Sequence, residues 1–127
     1  MKKVVFVDDS KTVLISAEMA LEDLVKNGTI ELRTYDNPLK LLEDVENGFV
    51  YDLAVTDINM PQMSGLEMAK KLKSTPSVRL KPIIALTTER SPAIVNQGKK
   101  IGLAGWLVKP FTPDKVLMAV KRVLRLR

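Results

Sequence analysis

Cysteine and histidine are both absent from this 127-residue chain. Without cysteine there is no disulfide, no thiolate nucleophile and no sulfur-ligated metal. Without histidine the usual general base and the usual transition-metal ligand are missing too, which excludes most hydrolase mechanisms. What remains is carboxylate, hydroxyl and lysine chemistry, with the metals that suit oxygen ligands. No apolar run approaches the roughly 20 residues of a membrane span, so no membrane association is expected. The N-terminal "MKKVVFVDDS" places two lysines before an apolar stretch, but that stretch is four residues long and ends in two aspartates. It is too short for a signal peptide, and a cytoplasmic location is expected.

The residues that are present describe an ordinary globular domain. Hydrophobic residues make up 46% and charged residues 28%, normal for a packed protein and wrong for a disordered one. The length suits one domain spanning residues 1–127. The net charge of +5 is scattered over several elements, with pairs at Lys70–Lys71 and Lys99–Lys100. Such scatter reads as solvated helix surface, not as a nucleic-acid footprint.

Short β-branched runs alternate with helical patterns along the chain. The strand candidates are "KVVFV" (3–7), "IELRTY" (30–35), "DLAVT" (52–56), "PIIAL" (82–86) and "GWLV" (105–108). Four are almost wholly apolar, as expected of parallel strands covered on both faces, whereas "IELRTY" alternates and fits an edge. Asn37-Pro38, Ser91-Pro92 and Thr112-Pro113 each pair an N-cap residue with proline at the first helical position. Gly28, Gly48 and Gly102 stand where the preceding helices stop. Five βα units in sequence predict a doubly wound α/β fold, a five-stranded parallel sheet with five helices and right-handed crossovers.

Ligands in such folds bind beyond the carboxyl ends of the strands, where strand order reverses. The first strand is followed by Asp8 and Asp9, the third by Asp57 and Asn59, the fourth by Thr87 and Thr88, and the fifth by Lys109. Asp36 and Asn37, after the second, read more simply as a helix cap. In isolation, Asp8 or Asp9 reads as a cap for the first helix, and Met60, Met63 and Met68 as packing residues. Three carboxylates and one ammonium leave an excess of two negative charges in the cluster. A divalent cation offsets that excess, and magnesium suits a site with few protein ligands and open water positions. Beside such an ion Asp57 can act as a nucleophile that accepts a phosphoryl group. The transfer adds negative charge and acceptor oxygens, a local change able to pull on a loop.

"VDDS", "TDINMPQMSG", "ALTTE" and "VKPF" together resemble the receiver domain of two-component response regulators, over essentially the whole chain. The resemblance implies a flavodoxin-like strand order of 2-1-3-4-5 and a cis bond between Lys109 and Pro110. It implies that Asp57 accepts a phosphoryl group from a sensor histidine kinase. Asp9, Asp57 and the backbone carbonyl of Asn59 would bind Mg2+, with Asp8 acting through water. Thr87 and Lys109 would contact the phosphoryl group, and Asn59 and Glu89 occupy positions that tune its lifetime. A phosphatase acting on the phosphorylated form is a further implied partner.

Two residues depart from the family pattern. Trp106, the only tryptophan, stands where receivers usually carry tyrosine or phenylalanine that swings between outward and inward rotamers as the threonine moves. The larger indole leads to an expectation of incomplete inward burial. Thr88 stands where alanine is usual, and its bulk is expected to narrow access to the phosphoryl pocket. With no output module after the last helix, the expected output is protein binding through a face of residues 91–127, as in chemotaxis receivers. Phosphorelay intermediates and receiver fragments of longer regulators share these features. An aspartyl-nucleophile phosphatase would place two aspartates with one residue between them after the first strand, whereas here they are adjacent. A flavodoxin-like FMN site would need a phosphate-binding loop where Asp8 and Asp9 would repel phosphate.

Overall fold

A computed structural model describes residues 1–88 and 91–127. Five parallel strands form one sheet: β1 (Lys2–Val7), β2 (Ile30–Tyr35), β3 (Leu53–Asp57), β4 (Ile83–Thr87) and β5 (Gly105–Val108). Their spatial order is β2-β1-β3-β4-β5, the expected arrangement. Among the described residues six helices connect them: α1 (Lys11–Ala20), α2 (Glu22–Lys26), α3 (Pro38–Glu46), α4 (Gly65–Lys73), α5 (Pro92–Ile101) and α6 (Pro113–Leu124).

The period-two alternation of the central strands divides the core into two layers. Val4, Phe6, Leu53, Val55, Ile84 and Leu86 face one way, against Leu14, Ala17 and Leu21 and against Val116 and Val120 of α6. Val5, Val7, Ala54 and Ile83 face the other way, against Leu41 and Val45 of α3 and Met68 and Leu72 of α4. Met60 is also buried there and Met63 packs against the cluster, so these methionines are packing residues. Each fully buried Val, Leu or Ile stabilises the fold by about 1.5–3 kcal/mol, so the strand ends are carried on a stiff platform.

The helix starts follow the expected local chemistry. Asn37 accepts from the Leu39 N–H at 2.9 Å, Ser91 from Ile94 at 3.3 Å and Thr112 from Lys115 at 3.3 Å. In each case proline occupies the first turn. Gly28, Gly48 and Gly102 all take positive φ just past helix ends, the conformation a residue with a Cβ resists.

Two expectations need correction. Five helices become six because the first divides at Leu21. That residue has φ −104° and ψ 7°, well short of helical ψ near −42°, while its N–H still donates to Ala17 O at 3.1 Å. Its side chain is fully buried, so the break tilts a five-residue turn while keeping an apolar contact. The second correction concerns β5. Its apolar run suggested a strand covered on both faces, yet it pairs only with β4 and all four residues are half-buried. The departure lies in its burial, since the expected strand order already puts β5 at one edge and β2, whose alternation predicts its place, at the other.

Candidate functional site

The chain order reverses between β1 and β3, which are hydrogen-bonded neighbours. Their carboxyl ends bring Asp8, Asp9 and Asp57 into one crevice, as expected for this fold. Each of the three offers a carboxylate oxygen within 4.8 Å of the others. Asp8 is fully buried and Asp57 is 6% exposed, while Asp9 lies at the surface.

Local hydrogen bonds hold Asp8 and Asp57. The Asp8 N–H donates to Tyr35 O at 3.0 Å, and Asp8 Oδ1 accepts from the Ser10 N–H at 2.9 Å. Ser10, not Asp8 or Asp9, is the N-cap of α1, which leaves both aspartates for the crevice. Asp57 is the last residue of β3. Its Oδ1 accepts from the Ile58 N–H at 2.8 Å and the Asn59 N–H at 3.4 Å. The Thr56 hydroxyl donates to Asp57 O at 2.9 Å.

Lys109 follows β5, and its backbone N–H donates to Thr87 O at 3.1 Å. The ammonium Nζ lies 2.6 Å from Asp8 Oδ2 and 3.4 Å from Asp57 Oδ2. The Lys109–Pro110 bond is cis. One lysine thus bridges two buried carboxylates and cannot neutralise both. Burial first, then the charge of Asp8, push the Asp57 carboxyl above its usual range, and the Lys109 ammonium opposes them. Among the described residues Asp8 Oδ2 accepts no hydrogen bond, its contact with the ammonium being an ion pair. A closely spaced, oxygen-only donor set with surplus negative charge fits a hard divalent cation.

Thr87, buried at the end of β4, stands opposite Val108 of β5, so it lies at the same end of the sheet. Thr88 and Asn59 are exposed. Glu89 lies outside the described residues. Trp106 stands opposite Ala85 in the β4–β5 register and packs against a cluster of Ile58, Leu66 and Ala85. Asp8, Asp9, Asp57, Thr87 and Lys109 therefore lie at one end of the sheet, as their places after the strands predict.

Gly65 lies against the backbone of Asp57, a contact that the strand ends do not predict. The N–H of this residue donates to Ile58 O at 2.8 Å, and a Cβ added there would stand 2.0 Å from Asp57 O. No side chain fits, so α4 starts pressed against the backbone of the buried aspartate. The only signal in the sequence is a glycine placed directly after the capping Ser64 of "TDINMPQMSG".

A buried aspartate at the switch point, two more carboxylates and a bridging lysine make up the site. The family model of the response regulator receiver domain matches residues 4–121. The chain belongs to this family. The receiver is 34% identical over 128 residues to chemotaxis protein CheY1 of Helicobacter pylori, an alignment covering 96% of each. It is 36% identical over 126 residues to the cyclic di-GMP phosphodiesterase response regulator RpfG of Xanthomonas campestris. That match covers 98% of this receiver but only 32% of RpfG. Among solved structures, chemotaxis protein CheY4 of Vibrio cholerae superposes with a TM-score of 0.86 at 35% identity, covering 97% of this receiver and 98% of that chain. Among the described residues, no helix is long and apolar enough to cross a membrane.

Proposed function

We propose that this receiver is switched by magnesium-dependent phosphorylation of Asp57. The observation that carries this reading is the position of that carboxylate, buried at the end of a central strand among Asp8, Asp9 and the Lys109 ammonium. An Asp57 oxygen attacks the phosphorus of a phosphohistidine on a sensor kinase. The P–N bond breaks, the electron pair leaves with the imidazole, and an acyl phosphate remains on Asp57. Asp9, Asp57 and the Asn59 carbonyl would hold Mg2+, with Asp8 through water, and the ion would supply charge neutralisation for the transferred oxygens. Lys109 is already within reach of Asp57 and offsets charge on the phosphoryl group, while the Thr87 hydroxyl donates to it. Phosphorylation draws Lys109 and Thr87 toward the new group, and both are continuous with β5 or its neighbour.

The output is altered binding of a downstream protein through the face of α5, β5 and α6. Support comes from the half-burial of β5 and from the exposed Met118 on α6. The near-complete alignment with CheY1 favours a chemotaxis role. The match to one third of RpfG favours a second reading, a receiver module serving a longer regulator or a phosphorelay. Intact mass after incubation with a small phosphodonor tests the common core of both. One added phosphoryl group, dependent on magnesium and lost in Asp57→Asn, is the expected result. No adduct from either a small donor or a histidine kinase would overturn it.

A further inference from the structure

Gly98 opens the last turn of α5 and is the only residue of that helix that is buried. Glycine is an expensive choice inside a helix, because alanine would favour the folded state by about fivefold in the equilibrium constant. Its surroundings supply a reason. A Cβ on residue 98 would stand 3.0 Å from Cζ3 of Trp106 and 3.0 Å from Cδ1 of Leu103, inside the roughly 3.5–4.0 Å of a comfortable carbon contact. Leu103 can yield by rotating its side chain. The indole is a rigid plate packed against the cluster of Ile58, Leu66 and Ala85, to which Ile94 and Ile101 also pack, and it cannot yield in part.

The polar end of the ring pulls the other way. Trp106 Nε1 is enclosed and has no hydrogen-bond partner among the described residues, whereas an outward ring would donate to water. Apolar packing therefore favours the seat while the indole N–H opposes it.

We propose that Gly98 is a positioning residue for Trp106: by lacking a Cβ it opens the seat in which the indole packs. Residues 98 and 106 then jointly set the resting shape of the α5–β5 face. The partner-facing significance of that shape rests on the proposed function. The seat itself does not, so the two can fail separately.

Trp106 is the only tryptophan, so its fluorescence reports on the ring directly, without a phosphodonor. Gly98→Ala is expected to shift the emission to the red and to raise acrylamide quenching, and to forfeit the helix gain of about fivefold in folding equilibrium. The same substitution made in a Trp106→Val background is expected to recover that gain. Should Gly98→Ala not fold, folding of the Gly98→Ala, Trp106→Val double variant supports the proposal, and its failure to fold overturns it. Unchanged emission and quenching in a folded Gly98→Ala protein would overturn it whatever happens to stability, because Leu103 alone would then have absorbed the methyl group.

Discussion

The central strands and β5 share one sheet and similar apolar residues, yet they are buried very differently. Every residue of β3 and β4 is buried, whereas every residue of β5 is half-buried. The carboxylate and hydroxyl groups sit on the buried strands, as Asp57 and Thr87. The lysine and the tryptophan sit on or just beyond the looser one. Groups that must hold a geometry benefit from packing on both faces, while elements that move are drawn from the less stable parts of a structure. The division teaches that one site can draw its groups from strands of unequal burial: Asp57 and Thr87 come from strands packed on both faces, and Lys109 from the end of a half-buried one.

The largest test of that contrast is a pair of truncations. Leu86→Ala on β4 is expected to cost about 4 kcal/mol and Leu107→Ala on β5 about 1–2 kcal/mol, read from urea denaturation. Equal losses would break the comparison. Gly65→Ala addresses the frame of the site, since its methyl group meets the Asp57 carbonyl oxygen. It is expected to cost about 3 kcal/mol by overpacking, measured the same way, and a neutral effect would show that α4 shifts freely away from β3.

Asp57→Asn comes next, and its effect has the opposite sign. Burial and Asp8 raise the folded-state pKa of Asp57, so the folded protein holds the proton more tightly than the unfolded chain. The stability this group contributes is full below the unfolded pKa and is lost as pH rises through the folded one. At neutral pH the buried carboxylate is therefore a burden, and Asp57→Asn is expected to raise the urea midpoint. The advantage should vanish in acid, below the ordinary carboxylate range. Magnesium should narrow the gap at neutral pH by stabilising the wild type alone, and a variant advantage that persists unchanged in acid would contradict this origin. The smallest expected effect belongs to Thr88→Ala, an exposed site where stability should move by no more than about 0.5 kcal/mol. Acyl phosphate should form faster from a small donor, followed by mass, and an unchanged rate would show that Thr88 does not narrow the entrance.

Much of the site was legible in the order of residues, because strand ends and helix starts are local. A short β-branched run such as "DLAVT" bounded by turn residues reads as a strand, and Asn37-Pro38 or Ser91-Pro92 declares a helix start by hydrogen-bond chemistry within four residues. Once alternation of strands and helices dictates a doubly wound sheet, Asp8, Asp9, Asp57, Thr87 and Lys109 must emerge at the same end. Contacts between distant segments were not legible. The apolar run of β5 carries no mark distinguishing an edge from a centre, and Leu21 resembles any other residue of an amphipathic helix.

By itself, then, the sequence determined the fold class, the carboxyl-end cluster and the exclusion of thiol and imidazole chemistry, since each follows from residue type and local spacing. Only the tertiary structure decided that Lys109 bridges Asp8 and Asp57, that Gly65 must lack a side chain, and that Gly98 leaves room for Trp106. Those facts are distances between atoms far apart along the chain, and the packing of the whole sheet sets them.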